Sequence, residues 1–366
     1  MGTNAINNHN KYLSSGHNGP YNDPETPVRN YGHWLITLSK CYEITGEQKY
    51  LNKIEELAEY LISKSSRPFS FSFHHRNSPH WDKCNGLIGQ AWTFEALYFA
   101  SLILNDTKYV EVAEEVFFQH EFNTEYGLWN RLEIDGQVLS IDDTFNHQLW
   151  FASCAMLLKS FGSEDINRRV LRFLECLQEN LTVMDYGLIY HPIEKIFMKH
   201  SILKSTNIKL KNSIKSFINV MQLGNRRCNQ RNRQVREKMI QKSIGYHQFN
   251  MYAFAMLNEK IRNHPYWFTE EFSKSFNYLM SNEYKNNLNH NMYGYPYNPP
   301  GFAVPYVLNV FNKIRSDKVI KESSWWLNEQ FKRSYNPKTQ MMDRNTPDPL
   351  TQTARIYELT RLPISI

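Results

Sequence analysis

The chain has 366 residues, of which 41% are hydrophobic and 21% are charged, a balance that excludes an intrinsically disordered protein. Its net charge is +6, its apolar runs are shorter than the ~20 residues that span a bilayer, and its N-terminal segment lacks the apolar core of a signal peptide. Five scattered cysteines without a CxxC pair favour reduced thiols over a disulfide framework or a zinc site. We therefore expect a globular, cytoplasmic protein with neither a metal nor a cofactor.

Apolar residues spaced three and four apart predict an almost entirely helical chain. The first helix has ordinary boundary signals, with Thr26-Pro27 at its start and Gly46 at its end. The predicted helices, in chain order, are 27–45, 48–63, 85–104, 107–120, 143–161, 165–181, 244–262, 267–282, 302–314, 319–332 and 349–360.

These helices alternate in character. The odd-numbered helices are rich in aromatic, small and amide side chains, as in "CNGLIGQAWTFEALYFAS", whereas the even-numbered ones are amphipathic, as in "KYLNKIEELAEYLIS". A helix that is apolar or neutral all round is typically buried, and a striped helix covers it. Six inner helices and five outer helices therefore predict an all-α (α/α)6 toroid, whose sixth outer position is empty or filled by the N-terminal residues.

Three connectors share a Tyr-Gly pair and are predicted to be short extended segments. They are "EYGLWNRLE" (125–133), "DYGLIYHPIE" (185–194) and "MYGYPYNP" (292–299). The alternation, the length and these connectors resemble the toroid of the six-hairpin glycosidases and, more distantly, the N-acylglucosamine 2-epimerase-like toroids. The resemblance covers nearly the whole chain except 199–242 and implies a carbohydrate-active enzyme with short β connectors.

The basic residues are concentrated in one segment between the sixth and seventh helices. Residues 199–242 contain twelve Lys or Arg and one acid, so the segment is net +11 and the rest of the chain is net −5. We predict that it is a basic insertion within a single domain of residues 1–366. It is either a solvated helical excursion or a surface for an anionic glycan or a membrane; nucleic acid is not expected, because no known binding motif accompanies it.

The N-terminal ends of the inner helices would converge on one mouth of a central cavity, and five of the six carry polar or charged side chains there. Because an unpaired buried polar group costs about 1–3 kcal/mol, this coincidence indicates a ligand site rather than helix capping alone. The candidate residues are Arg29, His33, Asp82, Asn85, Trp92, Asp143, Asn146, His147, Trp150, His247, Asp348 and Arg355.

Two aspartates carry the predicted chemistry. Asp82 and Asp143 begin neighbouring inner helices, and mutual repulsion across the mouth would raise the pKa of one carboxyl, giving the proton donor that sugar chemistry needs. Asp142 is expected to cap its own helix and so to leave Asp143 for chemistry. Trp92, Trp150, Tyr21 and Trp34 are predicted to stack on a sugar ring. Arg29 or Arg355 is predicted to pair with the carboxylate of an acidic sugar.

The segment "DTFNHQLWFAS" (143–153) resembles the Asp-Thr-x-x-Asn segment of the unsaturated glucuronyl hydrolases. The resemblance implies that Asp143 is the general acid and base that hydrates the double bond of a 4,5-unsaturated uronic acid, assisted by Asp82. The fourth inner helix, "SIGYHQFNMYAF", lacks the Arg and Trp that this family carries there, and a similar string, "GLIGQAW", lies on the second inner helix.

Two alternatives therefore stay open. One is a sugar epimerase or isomerase that uses two of His33, His147 and His247 as paired acid and base. The other is a toroid that binds a glycan without catalysis. In each case the expected partner is an oligosaccharide or a polysaccharide.

Overall fold

A computed structural model of the chain describes residues 2–196, 221–312 and 316–363. The α-helices of this part are α1 (Gly2–Asn7), α2 (His9–Tyr12), α3 (Val28–Thr45), α4 (Gln48–Ile62), α5 (Gly86–Leu104), α6 (Lys108–Gln119), α7 (Phe145–Leu158), α8 (Glu164–Glu175), α9 (Leu177–Asn180), α10 (Met221–Lys260), α11 (Glu270–Leu279), α12 (Asn282–Leu288), α13 (Pro300–Phe311), α14 (Asp317–Ser334) and α15 (Pro349–Ala354). Short 3-10 helices lie at Gly19–Tyr21, Lys159–Phe161, Pro265–Phe268 and Arg355–Arg361.

The helices form two concentric rings. The inner ring consists of α3, α5, α7, α10, α13 and the C-terminal element made of α15 and the 3-10 helix that follows it. Each inner element packs on the next, and the last packs on α3, which closes the ring. The outer helices α4, α6, α8, α11 and α14 each pack on the inner helix that precedes them. The predicted (α/α)6 toroid is confirmed.

Burial follows the predicted alternation. The outer helix α4 buries only the stripe Tyr50, Ile54, Leu57, Ala58 and Leu61, whereas nearly every residue of α5 before its last turn is buried. Within the described residues, α5 is also the one helix long and apolar enough to span a membrane by length and composition. It packs between α3 and α7, so its apolar surface belongs to the core of the ring.

The N-terminal helices fill the sixth outer position. Helix α1 packs on α3, and α2 packs on α15, where the ring closes. Trp34 of α3 donates a hydrogen bond through its indole nitrogen to the carbonyl of Tyr12 at 2.8 Å, and the two rings meet edge to face at 5.9 Å. The sequence left open whether the sixth outer position is empty or filled by the N-terminal residues, and in the structure it is filled.

Two of the three Tyr-Gly connectors are extended. The first contains strand β2 (Leu128–Leu132) of a small antiparallel sheet, in which β2 lies between β1 (Phe122–Asn123) and β3 (Val138–Ile141). The second connector makes isolated bridges, including one between Thr144 and Pro192. The third was predicted to be extended, which is wrong, because it forms turns closed by a hydrogen bond from the backbone N–H of Tyr297 to the carbonyl of Gly294.

The boundary predicted at residue 244 is corrected. Helix α10 already begins at Met221, so residues 221–242 of the basic segment continue directly into an inner helix. The sequence from 225 to 243 contains neither Gly nor Pro and is rich in Arg, Gln and Lys, which favour a helix. The part of the basic segment from 199 to 220 lies outside the described residues, and its role as an anionic-glycan or membrane surface stays a prediction.

Candidate active site

A cavity of about 560 Å³ opens where the second and third inner helices begin and where α10 passes beside them. Its volume is in the range of small-molecule sites. Two larger depressions, of about 860 and 910 Å³, are lined by residues at the C-terminal ends of α10 and α13 and by the outer helices α6 and α8. The cavity brings together six of the twelve predicted site residues: Asp82, Asn85, Trp92, Asp143, Asn146 and His147.

Asp82 is the centre of a row of ion pairs along one side of the mouth. Its two carboxylate oxygens accept from Arg76 and Arg131, both at 2.8 Å, and Arg76 also donates to Asp23 at 3.1 Å. Burial raises the pKa of Asp82, but Arg76, the backbone N–H of Gly86 and Arg131 outweigh it, so the pKa lies below its ordinary value. Asp82 is therefore ionised and bound on both oxygens, so it is not the member of the predicted aspartate pair whose pKa would be raised.

Asp142 forms a dyad with His147. The Nδ1 of His147 lies 2.9 Å from Oδ2 of Asp142, and Asp142 is almost entirely buried. Burial raises the pKa of Asp142, but His147, Arg131 and the backbone N–H of Leu87 together hold it well below its usual range. An ionised Asp142 fixes the Nδ1–H tautomer of His147 and leaves Nε2 as the nitrogen that can exchange a proton.

The same carboxylate joins two helix starts. Oδ2 of Asp142 accepts from the backbone N–H of Leu87 at the start of α5, and Oδ1 accepts from the N–H of Thr144, the residue before α7. Asp82 accepts from the N–H of Gly86, the first residue of α5, at 2.9 Å. Asp142 was expected to cap its own helix; its carboxylate bonds the N–H of Thr144, the N-cap residue of α7, and it caps the neighbouring inner helix α5 as well.

Gly86 makes this close approach possible. Its φ is +58°, in the left-handed region, and a Cβ there would lie 2.6 Å from Oδ2 of Asp142 and 2.9 Å from Nδ1 of His147. Any larger residue would be strained in the backbone and would push the dyad away from the start of α5. The glycine is therefore part of the geometry of the site.

Lys242 of α10 lies on the opposite side of the mouth. Its Nζ is 4.9 Å from the ring centre of Tyr21 and 5.7 Å from that of Tyr293, and burial lowers its pKa. The arginines of the mouth are paired with carboxylates, whereas Lys242 forms no ion pair with any of the residues that the structure describes. A partly buried cation without a counter-ion is a natural contact for an anionic ligand.

His191 also lines the cavity, close enough to Lys242 and to the dyad to feel their charges. Its ring packs on Tyr246 with 4.7 Å between centroids, and its backbone carbonyl accepts from the N–H of Phe145 at the start of α7. Burial lowers the pKa of His191 well below its ordinary value, and the charges of Lys242 and His147 lower it further. His191 is therefore neutral and lies on the same wall of the cavity as His147.

Asn146 offers unused hydrogen-bonding groups to the cavity. It is 1% exposed, and neither its amide nitrogen nor its amide oxygen has a hydrogen-bond partner among the described residues. A buried primary amide without partners is costly unless a ligand or water completes it. Its predicted contact with substrate agrees with this arrangement.

Arg29 and His33 lie under the cavity rather than in its lining. Arg29 pairs with Glu25 at 2.8 Å and stacks on Trp92, with 4.0 Å from the guanidinium carbon to the ring centre. His33 stacks on Tyr357 at 4.2 Å, and burial together with Arg29 lowers its pKa well below its ordinary value. The structure gives both residues partners within the core.

Trp150 and His247 face neighbouring helices and do not line the cavity. Trp150 stacks on Phe249 at 4.3 Å and on Tyr252 at 5.5 Å, which places it in the wall between two inner helices. His247 bonds the carbonyl of Ser275 at 3.0 Å, and burial lowers its pKa to about 4. Neither side chain is oriented toward a sugar in this arrangement.

Asp348 and Arg355 also make structural contacts. Asp348 caps α15 through the N–H of Thr351 and accepts from the N–H of His17. Arg355 pairs with Glu358 at 2.6 Å, and burial raises the pKa of Glu358 to about 7. Both guanidinium groups already pair with buried glutamates, so this arrangement does not support the carboxylate contact predicted for Arg29 or Arg355, which stays a prediction.

Sequence reasoning missed several residues of the lining. They come from loops and connectors that precede the inner helices, or from the side of α10, and not from inner helix starts. These residues are Arg76, Trp81, Arg131, Asp142, His191, Lys242 and Tyr246. Only Asp142 had a visible signal, since it stands beside Asp143 in the segment that carries the resemblance.

Solved structures of sugar-processing enzymes share this fold. The cellobiose 2-epimerase from Bacillus thermoamylovorans B4167 aligns with a TM-score of 0.59 at 11% identity over 99% of each chain. The α-1,6-mannanase GH76A from Salegentibacter sp. HEL1_6 aligns with a TM-score of 0.56 at 13% identity over 98% of this chain and 97% of that one. A D-mannose isomerase gives 0.60 at 11% identity, over 95% and 89%.

The chain therefore shares the (α/α)6 fold of these enzymes, as the sequence predicted. No family model matches it. It is 38% identical over 350 residues to the archaeal glycosylation protein Q of Haloferax volcanii, which covers 96% of this chain and 91% of that protein. The chain belongs to the family of the archaeal glycosylation protein Q.

Proposed function

We propose that the chain is a carbohydrate-active enzyme that hydrolyses or hydrates an acidic saccharide by proton transfer at His147. The observation that carries the proposal is the 2.9 Å contact between the ionised Asp142 and Nδ1 of His147 within a cavity. The name of the 38% identical relative connects that protein with glycosylation, and the structural neighbours are named as enzymes acting on saccharides. Both supports agree with a sugar as the substrate.

In the proposed reaction, Nε2 of His147 gives a proton to the leaving oxygen, or to carbon in a hydration, and then takes one from water. Asp142 stabilises the imidazolium that this cycle requires, as in other Asp–His pairs. Asp143 lines the same cavity and is the proposed second carboxylate, which stabilises positive charge on the sugar or activates the water.

The α-1,6-mannanase among the structural neighbours also has two consecutive aspartates. A variant of it in which both are replaced by asparagine is inactive and was solved in complex with α-1,6-mannotriose. In the present chain the two aspartates differ in environment: Asp142 is buried and bound to two helix starts, whereas Asp143 is only partly buried. Asp142 is thus the orienting group and Asp143 the group nearer to substrate.

The acidic character of the proposed substrate follows from Lys242. We predict that Lys242→Gln raises KM for a uronic-acid saccharide about tenfold, since a charge-assisted hydrogen bond contributes about 1.5 kcal/mol or more, and leaves kcat within about twofold. The matched control is Lys238→Gln, one turn earlier on the same helix and outside the cavity lining. Steady-state kinetics of both variants, with a neutral sugar in parallel, check the prediction; an equal KM change for both sugars would contradict it.

A sugar epimerase is the second candidate, favoured by the observation that His147 and His191 both line the cavity. Epimerisation by two bases needs proton removal and return on opposite faces of a carbon. The backbone carbonyl of His191 accepts from the N–H of Phe145 at the start of the helix that carries His147. A two-histidine epimerase would require the two rings to reach opposite faces of the reacting carbon.

Isotope transfer from solvent distinguishes the candidates. The purified chain is incubated with uronic-acid oligosaccharides, saturated and 4,5-unsaturated, in H₂¹⁸O and separately in D₂O, and products are analysed by mass spectrometry and NMR. Hydrolysis or hydration is expected to place ¹⁸O in the product. Deuterium on a sugar carbon without ¹⁸O would instead identify epimerisation, and binding without either isotope would refute both enzymatic readings.

A further inference from the structure

A highly exposed tryptophan stands at the mouth of the cavity. Trp81 is 65% exposed although it belongs to the cavity lining, and it directly precedes Asp82 of the ion-pair row. Single exposed aromatics are common on protein surfaces and need no explanation alone. Here the indole adjoins the same cavity as the dyad, so its free surface continues the site outward.

An arginine of the ion-pair row lies beside the Trp81 ring. The guanidinium carbon of Arg76 lies 5.9 Å from the centre of the Trp81 ring. Arg76 is itself held by Asp23 at 3.1 Å and by Asp82 at 2.8 Å. One side of the indole therefore adjoins a cation that two carboxylates hold in place, while most of the indole surface remains open.

A second aromatic ring lies on the other side of the mouth. Tyr21 is 37% exposed, also lines the cavity, and bonds through its hydroxyl to the hydroxyl of Tyr246 at 2.9 Å. Asp23, two residues further along, connects this side to Arg76. The mouth is thus bordered by two exposed aromatic rings, whereas the interior between them carries the ionisable groups.

We infer that Trp81 is the stacking platform for a second sugar unit, outside the unit that is processed at His147. The apolar C–H face of a sugar ring fits the open indole surface, and the hydroxyl groups at its edge stay in water. This inference rests on the proposed function for the class of ligand, and it adds that the substrate is at least a disaccharide. The inner unit reaches Asn146 and the dyad while the outer unit covers Trp81.

Calorimetric binding in a His147→Gln background tests the platform without turnover. The probes are glucuronic acid with hyaluronan disaccharide and tetrasaccharide, and mannose with α-1,6-mannobiose and α-1,6-mannotriose. We expect affinity to rise from the monosaccharide to the disaccharide in at least one series. Trp81→Ala should then weaken disaccharide binding about tenfold and leave monosaccharide binding unchanged, with Trp81→Phe intermediate.

The matched control is Trp325→Ala, because Trp325 is 39% exposed on the outer helix α14 and lies outside the cavity lining. The platform is overturned if neither series shows a length dependence, or if Trp81→Ala matches its parent or weakens monosaccharide and disaccharide equally. Turnover of the unsubstituted chain is measured separately. Trp81-dependent binding without turnover would refute only the proposed function, and turnover of disaccharides unaffected by Trp81→Ala would refute only the platform.

Discussion

Replacing His147 with glutamine is expected to lower kcat by about 10²–10⁴-fold and to leave saccharide binding nearly unchanged. Glutamine preserves a polar side chain that can hydrogen-bond Asp142 but has no proton to exchange near neutral pH. The loss should therefore appear in the chemical step and not in KM. Single-turnover kinetics together with equilibrium binding of the same saccharide separate the two effects.

The control for this substitution is His290→Gln, since His290 is exposed and lies outside the cavity lining. Asp143→Asn is the informative companion variant. If Asp143→Asn abolishes turnover while His147→Gln retains it, the carboxylate of Asp143 is the group that moves the proton and the dyad has a supporting role. Unchanged kcat in both variants would rule out acid–base chemistry at this cavity wall.

Arg29→Met is expected to lower the free energy of unfolding by about 3–5 kcal/mol, because it leaves the buried carboxylate of Glu25 without its counter-ion. Burial already raises the pKa of Glu25, and Arg29 is the largest influence that lowers it. Without Arg29 the pKa of Glu25 rises further, so folding favours the protonated form. The deficit should then grow as pH rises through the folded-state pKa of Glu25.

Denaturant unfolding at pH 5 and pH 8 measures the size and the sign of this effect. The control is Arg168→Met, which removes an exposed ion pair with Asp165 and should cost less than about 1 kcal/mol. The double variant Glu25→Gln/Arg29→Met should recover part of the loss. A stable Arg29→Met chain with a raised KM would restore Arg29 to the substrate-binding role that the sequence suggested.

The ring and its inner helices follow from the sequence because burial on all sides leaves a compositional signature. The position of a residue along the axis of an inner helix, which decides whether it reaches the cavity, leaves no such signature in the sequence. Asn146 and His147, in the first turn of α7, reach the cavity, whereas Trp150, one turn further, is enclosed between Phe249 and Tyr252. The sequence predicted all three as site residues near the start of one inner helix, but distance along the helix axis decides which of them line the cavity.

Helix α10 shows a second reason for the missed residues. It does not begin at the mouth but passes it, so its lining residues Lys242, Tyr246 and Phe249 follow helical spacing in mid-helix. Its first part, from Met221 to Lys242, belongs to the basic segment, which the sequence analysis set apart from the alternating inner and outer helices. The cap that Asp142 makes on α5 was missed for a different reason. It joins Asp142 to the N–H of Leu87, 55 positions away, and no local sequence signal indicates such a contact.

The carboxylate of Asp142 serves two helix starts and one imidazole, so it cannot be removed without affecting both folding and turnover. A substitution there would yield a chain whose inactivity reports a loosened scaffold as much as missing chemistry. Trapping a saccharide in the cavity for crystallography therefore calls for a disabled chain altered at His147, whose side chain bonds the carboxylate of Asp142 and leaves that carboxylate in place when it is replaced. For the same reason, laboratory evolution toward new sugars has more freedom at Lys242 and Trp81 than at the junction of α5 and α7.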